Sequence, residues 1–167
     1  VRERLKLEHN PKCSTNILVA DSKTIDTNKM VDYYGIKNVQ FVIMHPPYWD
    51  IIKFSEDKRD LSNSETLEDF LNSFGEVIDN TTKVLEKNRY CAVVIGDKYA
   101  NSQLIPHGFH CMNLFLERGF MMKAILVKNF DRTRGKANQA AIWRYRALAS
   151  DFYVFDHEYI FIFKKVK

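Results

Sequence analysis

Four stretches of the chain are apolar without interruption or nearly so, and each stops at a polar residue. Ile17-Leu18-Val19-Ala20 ends at Asp21-Ser22, Val39–Met44 at His45, Tyr90–Ile95 at Gly96-Asp97, and Met121–Lys128 carries a lysine at its end. Runs of this length bounded by turn residues predict strands buried on both faces, as in a parallel sheet. Between them, Leu67, Phe70, Leu71, Phe74, Val77, Ile78, Val84 and Leu85 recur at spacings of three and four, which predicts a helix over 64–86 capped by Ser64 or Thr66. A shorter helix is predicted over 108–118, closed by Gly119. His157-Glu-Tyr-Ile-Phe-Ile-Phe-Lys-Lys predicts a terminal strand, and Arg2–Glu8 the tail of a helix stopped near Asn10-Pro11. Strands alternating with helices place the chain in the α/β class with a largely parallel sheet.

With 167 residues, 46% hydrophobic and 28% charged, the chain has the composition of one globular domain, expected to span 1–167. No apolar run approaches the ~20 residues of a membrane helix, so no membrane partner is expected. Cys13, Cys91 and Cys111 are odd in number and far apart. That spacing suggests neither a disulfide framework nor a thiolate metal site and fits a reducing cytoplasm. The net charge of +4 decides little, but its distribution decides more. Lys123, Lys128, Arg132, Arg134, Lys136, Arg144 and Arg146 face only Asp131 within their stretch, with Phe130, Trp143 and Tyr145 among them. Cations interleaved with aromatics suit phosphate neutralisation and base stacking, and 129–151 is the expected nucleic-acid-contacting loop. A solvated basic face is the plainer alternative.

In open α/β sheets ligands lie beyond the carboxyl ends of the strands, here marked by Asp21, His45 and Asp97. The sharpest of these ends is His45-Pro46-Pro47-Tyr48-Trp49-Asp50. Two prolines cannot donate to a central ladder, so the chain must leave the sheet in a rigid turn that aims carbonyls and an aromatic face into one cleft. That geometry suits an exocyclic amine on a planar ring. Such an amine is a poor nucleophile because its lone pair is delocalised, and acceptors must hold its N–H bonds while an electrophile approaches. A Pro-Pro-Tyr alone is more often a plain strand-ending turn. Asp97 reads better as a cap than as a ligand, and His107-x-x-His110 as incidental rather than as a metal site.

His45-Pro-Pro-Tyr-Trp resembles the Asp/Asn/Ser-Pro-Pro-aromatic signature of the N6-adenine/N4-cytosine DNA methyltransferases. The likeness extends to Asn16-Ile-Leu-Val-Ala-Asp-Ser, Val93-Val-Ile-Gly-Asp and His157-Glu-Tyr-Ile-Phe-Ile-Phe. The resemblance implies a Rossmann-like fold, mostly parallel with an antiparallel terminal strand, and S-adenosylmethionine as methyl donor. It also implies double-stranded DNA as partner and methylation of adenine N6 or cytosine N4, in keeping with a restriction–modification role. By the same resemblance Pro46 supplies a backbone carbonyl within the Pro46-Pro47 turn, His45 a side-chain acceptor and Tyr48 the stacking face. Trp49 walls the base pocket; Asp21, Ser22 and His45 meet the cofactor; Lys128, Arg132, Arg134, Lys136, Arg144 and Arg146 hold phosphates.

Two departures follow. Histidine accepts only when neutral, through one ring nitrogen. The Phe-x-Gly-x-Gly turn that cradles the methionine end of the cofactor in the family has no counterpart among six scattered glycines. The chain therefore reads as a methyltransferase domain without its first strands, with a second chain or a second copy expected to supply or cover that segment. The alternatives are a non-catalytic fragment or DNA-binding subunit of a split enzyme, and an RNA amino-group methyltransferase.

Overall fold

The computed structural model describes residues 16–130, 145, 148, 149 and 156–166. Its elements are α1 (Thr27–Tyr33), β1 (Val39–Met44), α2 (Leu67–Thr82), β2 (Leu85–Ile95), β3 (Lys98–Ala100), β4 (Gln103–Ile105), α3 (His107–Glu117), β5 (Met121–Asn129) and β6 (His157–Lys164), with a 3-10 turn at Leu61–Asn63. The main sheet runs β1-β2-β6-β5. β1 pairs parallel with β2, whereas β6 lies antiparallel to both β2 and β5. Three of its strands thus point one way, and β6, the terminal strand, is inverted between two of them. Its inversion makes two of the three pairings antiparallel.

Alternation along the strands sorts the sheet into two faces. Met44, Cys91, Val93, Ile95, Phe161 and Phe163 pack on Phe70, Phe74 and Ile78 of α2 and Cys111 and Phe115 of α3. Phe115 stacks on Phe163 at 4.4 Å between ring centroids. The opposite face carries Phe41, Ile43, Tyr90 and Leu126, all exposed, and none of the described helices covers it. Helix α2 begins in a capping box: Thr66 Oγ1 accepts from the Asp69 backbone N–H and Asp69 accepts from that of Thr66, worth about 1 kcal/mol.

The predicted helix over 64–86 stops at Thr82, because Leu85 is already the first residue of β2. The strand predicted at 17–20 does not form. The segment lies beside the outer edge of β1, sharing a cavity with Val39, Phe41 and Val42, but does not pair with it and leaves Val19 88% exposed. The predicted helix tail at 2–8 lies outside the described residues. Two elements escaped the sequence pattern. Helix α1 is capped by Asp26 and tethered through Asn80, whose side-chain amide donates to the carbonyls of Ser22 and Ile25. The β3–β4 hairpin turns through Asn101 and Ser102, both at positive φ, as a two-residue hairpin turn demands.

Candidate methyl-transfer site

The site is built where β1 ends. Pro46 is buried, and after Tyr48 the backbone turns sharply at Trp49, whose φ of 54° is unfavourable for a bulky side chain. The strained residue is held by two contacts, one of them itself anchored. Its indole N–H donates to the Ser64 carbonyl at 2.9 Å, the Lys98 ammonium lies 3.9 Å from its ring centroid, and Lys98 is ion-paired with the neighbouring Asp50. Trp49 packs back onto the core and is not among the residues bounding the cavity beside Tyr48.

Tyr48 lies over Gly96 at the end of β2. A Cβ on Gly96 would sit 2.8 Å from Tyr48 Cε2. Gly96→Ala is expected to lower stability by about 1–3 kcal/mol through this overpacking, measured by urea unfolding, and the loss should vanish in a Tyr48→Ala background where no ring is left to displace. A full loss persisting in that background would refute the contact as its cause.

Two cavities meet at His45-Pro46-Pro47. One, of about 750 Å³, is bounded by Asp21, Ser22, Val42, Leu61, Phe74 and Val77 besides the motif. The other, of about 570 Å³, is bounded by Tyr48, Ile51, Ile52, Phe54, Asp60 and Glu158. The first is lined by charges of both signs, Asp21, Asp57 and Asp60 with Lys23 and Arg59, and by an apolar wall. Asp21 spends one carboxylate oxygen on the Lys23 backbone N–H at 2.9 Å, and its other lies 3.8 Å from the Arg59 guanidinium. It is therefore a turn cap that also presents charge to the cavity. Asp97, read as a cap, accepts from the Gly108 backbone N–H at the start of α3 and from the Tyr159 hydroxyl.

Glu158 was not foreseen. It is 5% exposed, and it joins the site because β6 runs backwards, bringing its first residues to the carboxyl ends of β1 and β2. Tyr48 donates its hydroxyl proton to Glu158 Oε2 at 2.5 Å, Lys128 donates to Oε1 at 2.7 Å, and His45 Nε2 lies 3.2 Å from the Tyr48 oxygen. Burial opposes ionisation of Glu158, but Lys128 and Tyr48 outweigh it and hold its carboxyl below the usual glutamate range. Burial and the adjacent carboxylate push the Tyr48 hydroxyl well above the ordinary tyrosine value, so it stays protonated. The available signal was a single acid in an otherwise apolar strand, directly opposite Lys128 in the register. Lys128, expected on phosphate, is engaged with Glu158. Arg132, Arg134, Lys136, Arg144 and Arg146 lie outside the described residues. His107 is buried against Phe70, 4.7 Å between centroids, and no group of three or more potential metal ligands occurs among the described residues.

Comparison with known proteins agrees with this fold. A solved protein of Thermus thermophilus described as a DNA modification methylase, in its complex with S-adenosyl-L-methionine, is 17% identical, with a TM-score of 0.56 over 89% of this chain and 54% of that one. The PvuII DNA methyltransferase, cytosine-N4-specific, is 14% identical, with a TM-score of 0.52 over 78% of this chain and 43% of its own. The chain thus spans about half the length of the solved structures it resembles. No curated protein matches it. The family model for N6/N4 methyltransferases, described as DNA methylase, matches residues 39–167, over three quarters of the chain, and includes the whole His45-Pro46-Pro47-Tyr48 turn and β6. The chain belongs to the N6/N4 DNA methylase family.

Proposed function

We propose that the chain forms the base-binding half of a DNA amino-methyltransferase acting on adenine N6 or cytosine N4. The observation that carries this is the meeting of two cavities at His45-Pro46-Pro47, one with a charged rim and an apolar wall, the other with a tyrosine face and hydrogen-bond acceptors. The first fits S-adenosylmethionine in kind: Val42, Leu61 and Phe74 offer an apolar slot for a purine, and Asp21 and Ser22 offer polar partners at its rim. When bound, that group supplies an electrophilic methyl.

This chain's residues do the rest. Tyr48 stacks on a base turned out of the duplex, and the Pro46 carbonyl with the His45 ring accept the amino N–H bonds, directing the nitrogen lone pair toward the first cavity. The two prolines keep the acceptors from relaxing away. Ile51, Ile52 and Phe54, all exposed, line the rim of the base cavity and exclude water once a base is seated. The basic stretch at 129–151 is assigned to DNA phosphates.

The apolar face and the β1 edge that no described residue covers favour a second polypeptide, or a second copy, covering the cofactor side. No described helix is long and apolar enough to cross a membrane. Calorimetric titration of the folded chain with S-adenosylmethionine, with size exclusion in parallel, tests the reading. Saturable binding weakened about tenfold or more by Asp21→Ala is expected, as for loss of a charged hydrogen-bond partner. A folded chain, alone or self-associated, that binds no S-adenosylmethionine would place the donor site on a second polypeptide, and one that also fails to bind unmethylated duplex DNA would overturn the base-binding reading.

A further inference from the structure

We propose that Glu158, acting through Tyr48, sets the tautomer of His45, so that Nδ1 is the unprotonated nitrogen and the acceptor offered to the site. A carboxylate only accepts, and Glu158 is a carboxylate because the Lys128 ammonium sits 2.7 Å from Oε1. The Tyr48 hydroxyl, 2.5 Å from Oε2, must then be the donor in that bond. A phenol has one proton, and this one is committed. What remains on the Tyr48 oxygen are lone pairs, so His45 Nε2, 3.2 Å away, must be the donor in the next bond. Neutral imidazole carries one N–H. With it on Nε2, Nδ1 keeps its lone pair.

The chain Lys128, Glu158, Tyr48, His45 therefore has one polarity from end to end. It provides what a histidine at this position of the motif requires, since imidazole is otherwise free to present either a donor or an acceptor. Glu158 is a positioning residue; it lies two hydrogen bonds from His45 Nε2. The use of Nδ1 to hold an amino N–H rests on the base-site reading above, whereas the tautomer does not.

The test is nitrogen-15 spectroscopy of histidine-labelled protein near pH 8, with His45 assigned by its absence in His45→Asn. In the parent protein Nε2 should give a protonated, pyrrole-type resonance and Nδ1 an unprotonated, pyridine-type one. Glu158→Gln keeps the shape but reverses the polarity. Lys128 cannot accept, so the amide oxygen must face it, and the NH2 then donates to the Tyr48 oxygen. The Tyr48 proton turns to His45 Nε2, and the imidazole proton moves to Nδ1. Inversion of the two resonances is the expected result. Tyr48→Phe removes the coupling altogether and should relax His45 to the mixture of tautomers seen in free imidazole.

A proton on Nδ1 in the parent protein, or unchanged resonances in both variants, would overturn the proposal. A loss of packing alone would not exchange the two nitrogens. Methyl transfer to unmethylated duplex DNA by the Glu158→Gln protein should fall about tenfold or more, as an acceptor becomes a donor. Inversion without that fall would overturn the acceptor role of His45 at the base while leaving its tautomer assigned.

Discussion

Tyr48→Ala should lower methyl transfer to duplex DNA by about 10- to 100-fold, the worth of one base–aromatic stack at roughly 1–3 kcal/mol, while the protein stays folded. The ring is the one aromatic face of the 570 Å³ cavity that lies beside His45 and Pro46. Its removal also deprives buried Glu158 of one of its two partners. Lys128 remains, so the carboxylate stays paired and the loss of stability should be smaller than for a wholly orphaned buried charge. Transfer of labelled methyl groups to bulk unmethylated DNA, with thermal unfolding as control, measures both effects. Undiminished transfer would remove Tyr48 from the base site and, with it, the assignment of the smaller cavity.

Acidification is the second large effect. His107 is fully buried at the start of α3, and its Nδ1 has no well-formed hydrogen bond among the described residues, the Pro47 backbone being a weak partner that burial outweighs. Burial, helped by His110 and Lys98, lowers its pKa from 6.5 to about 4. Between those values the unfolded chain binds a proton that the folded chain refuses, so stability falls as the pH drops. The contribution is whole above about 6.5 and is lost by about 4, a difference of roughly 3 kcal/mol. Urea midpoints should therefore fall steeply between pH 7.5 and pH 4.5, and His107→Leu should flatten that fall. Glu158, whose depressed pKa acts in the same direction, loses its contribution only at lower pH still. Equal midpoints at the two pH values would show that His107 is solvated or paired in solution.

The backbone elements that bury one face were legible as periodicity. Val39–Met44, the helix of Phe70 and Phe74, and the aromatic terminal strand all lie where the pattern put them, but Val39–Met44, expected to be buried on both faces, is buried on one, with Phe41 and Ile43 exposed. The failures have physical causes. Ile17–Ala20 reads as a strand, yet an apolar run does not itself fix pairing, and the segment lies beside β1 without joining its ladder. Helix α1 has too few apolar positions to betray itself and depends on Asn80, more than fifty residues away. The motif at 45–49 was legible because proline chemistry is local. Glu158 was not, since only the reversal of β6 brings it to Tyr48. The orientation of Trp49 was not legible either, since its side chain follows a positive φ and the Ser64 carbonyl, neither of which sequence spacing reports.

The same reversal has a kinetic consequence. Tyr48 and Glu158 are 110 positions apart, and their bond forms only once β6 has inserted between β2 and β5. Contacts of such separation close the longest loops and form late in folding. The proline turn can take its local shape early, but the tyrosine it carries gains its fixed orientation only when the sheet is complete. Competence of the site is thus a readout of the last folding step, and a chain that has folded only through β2 would display the motif without the chemistry.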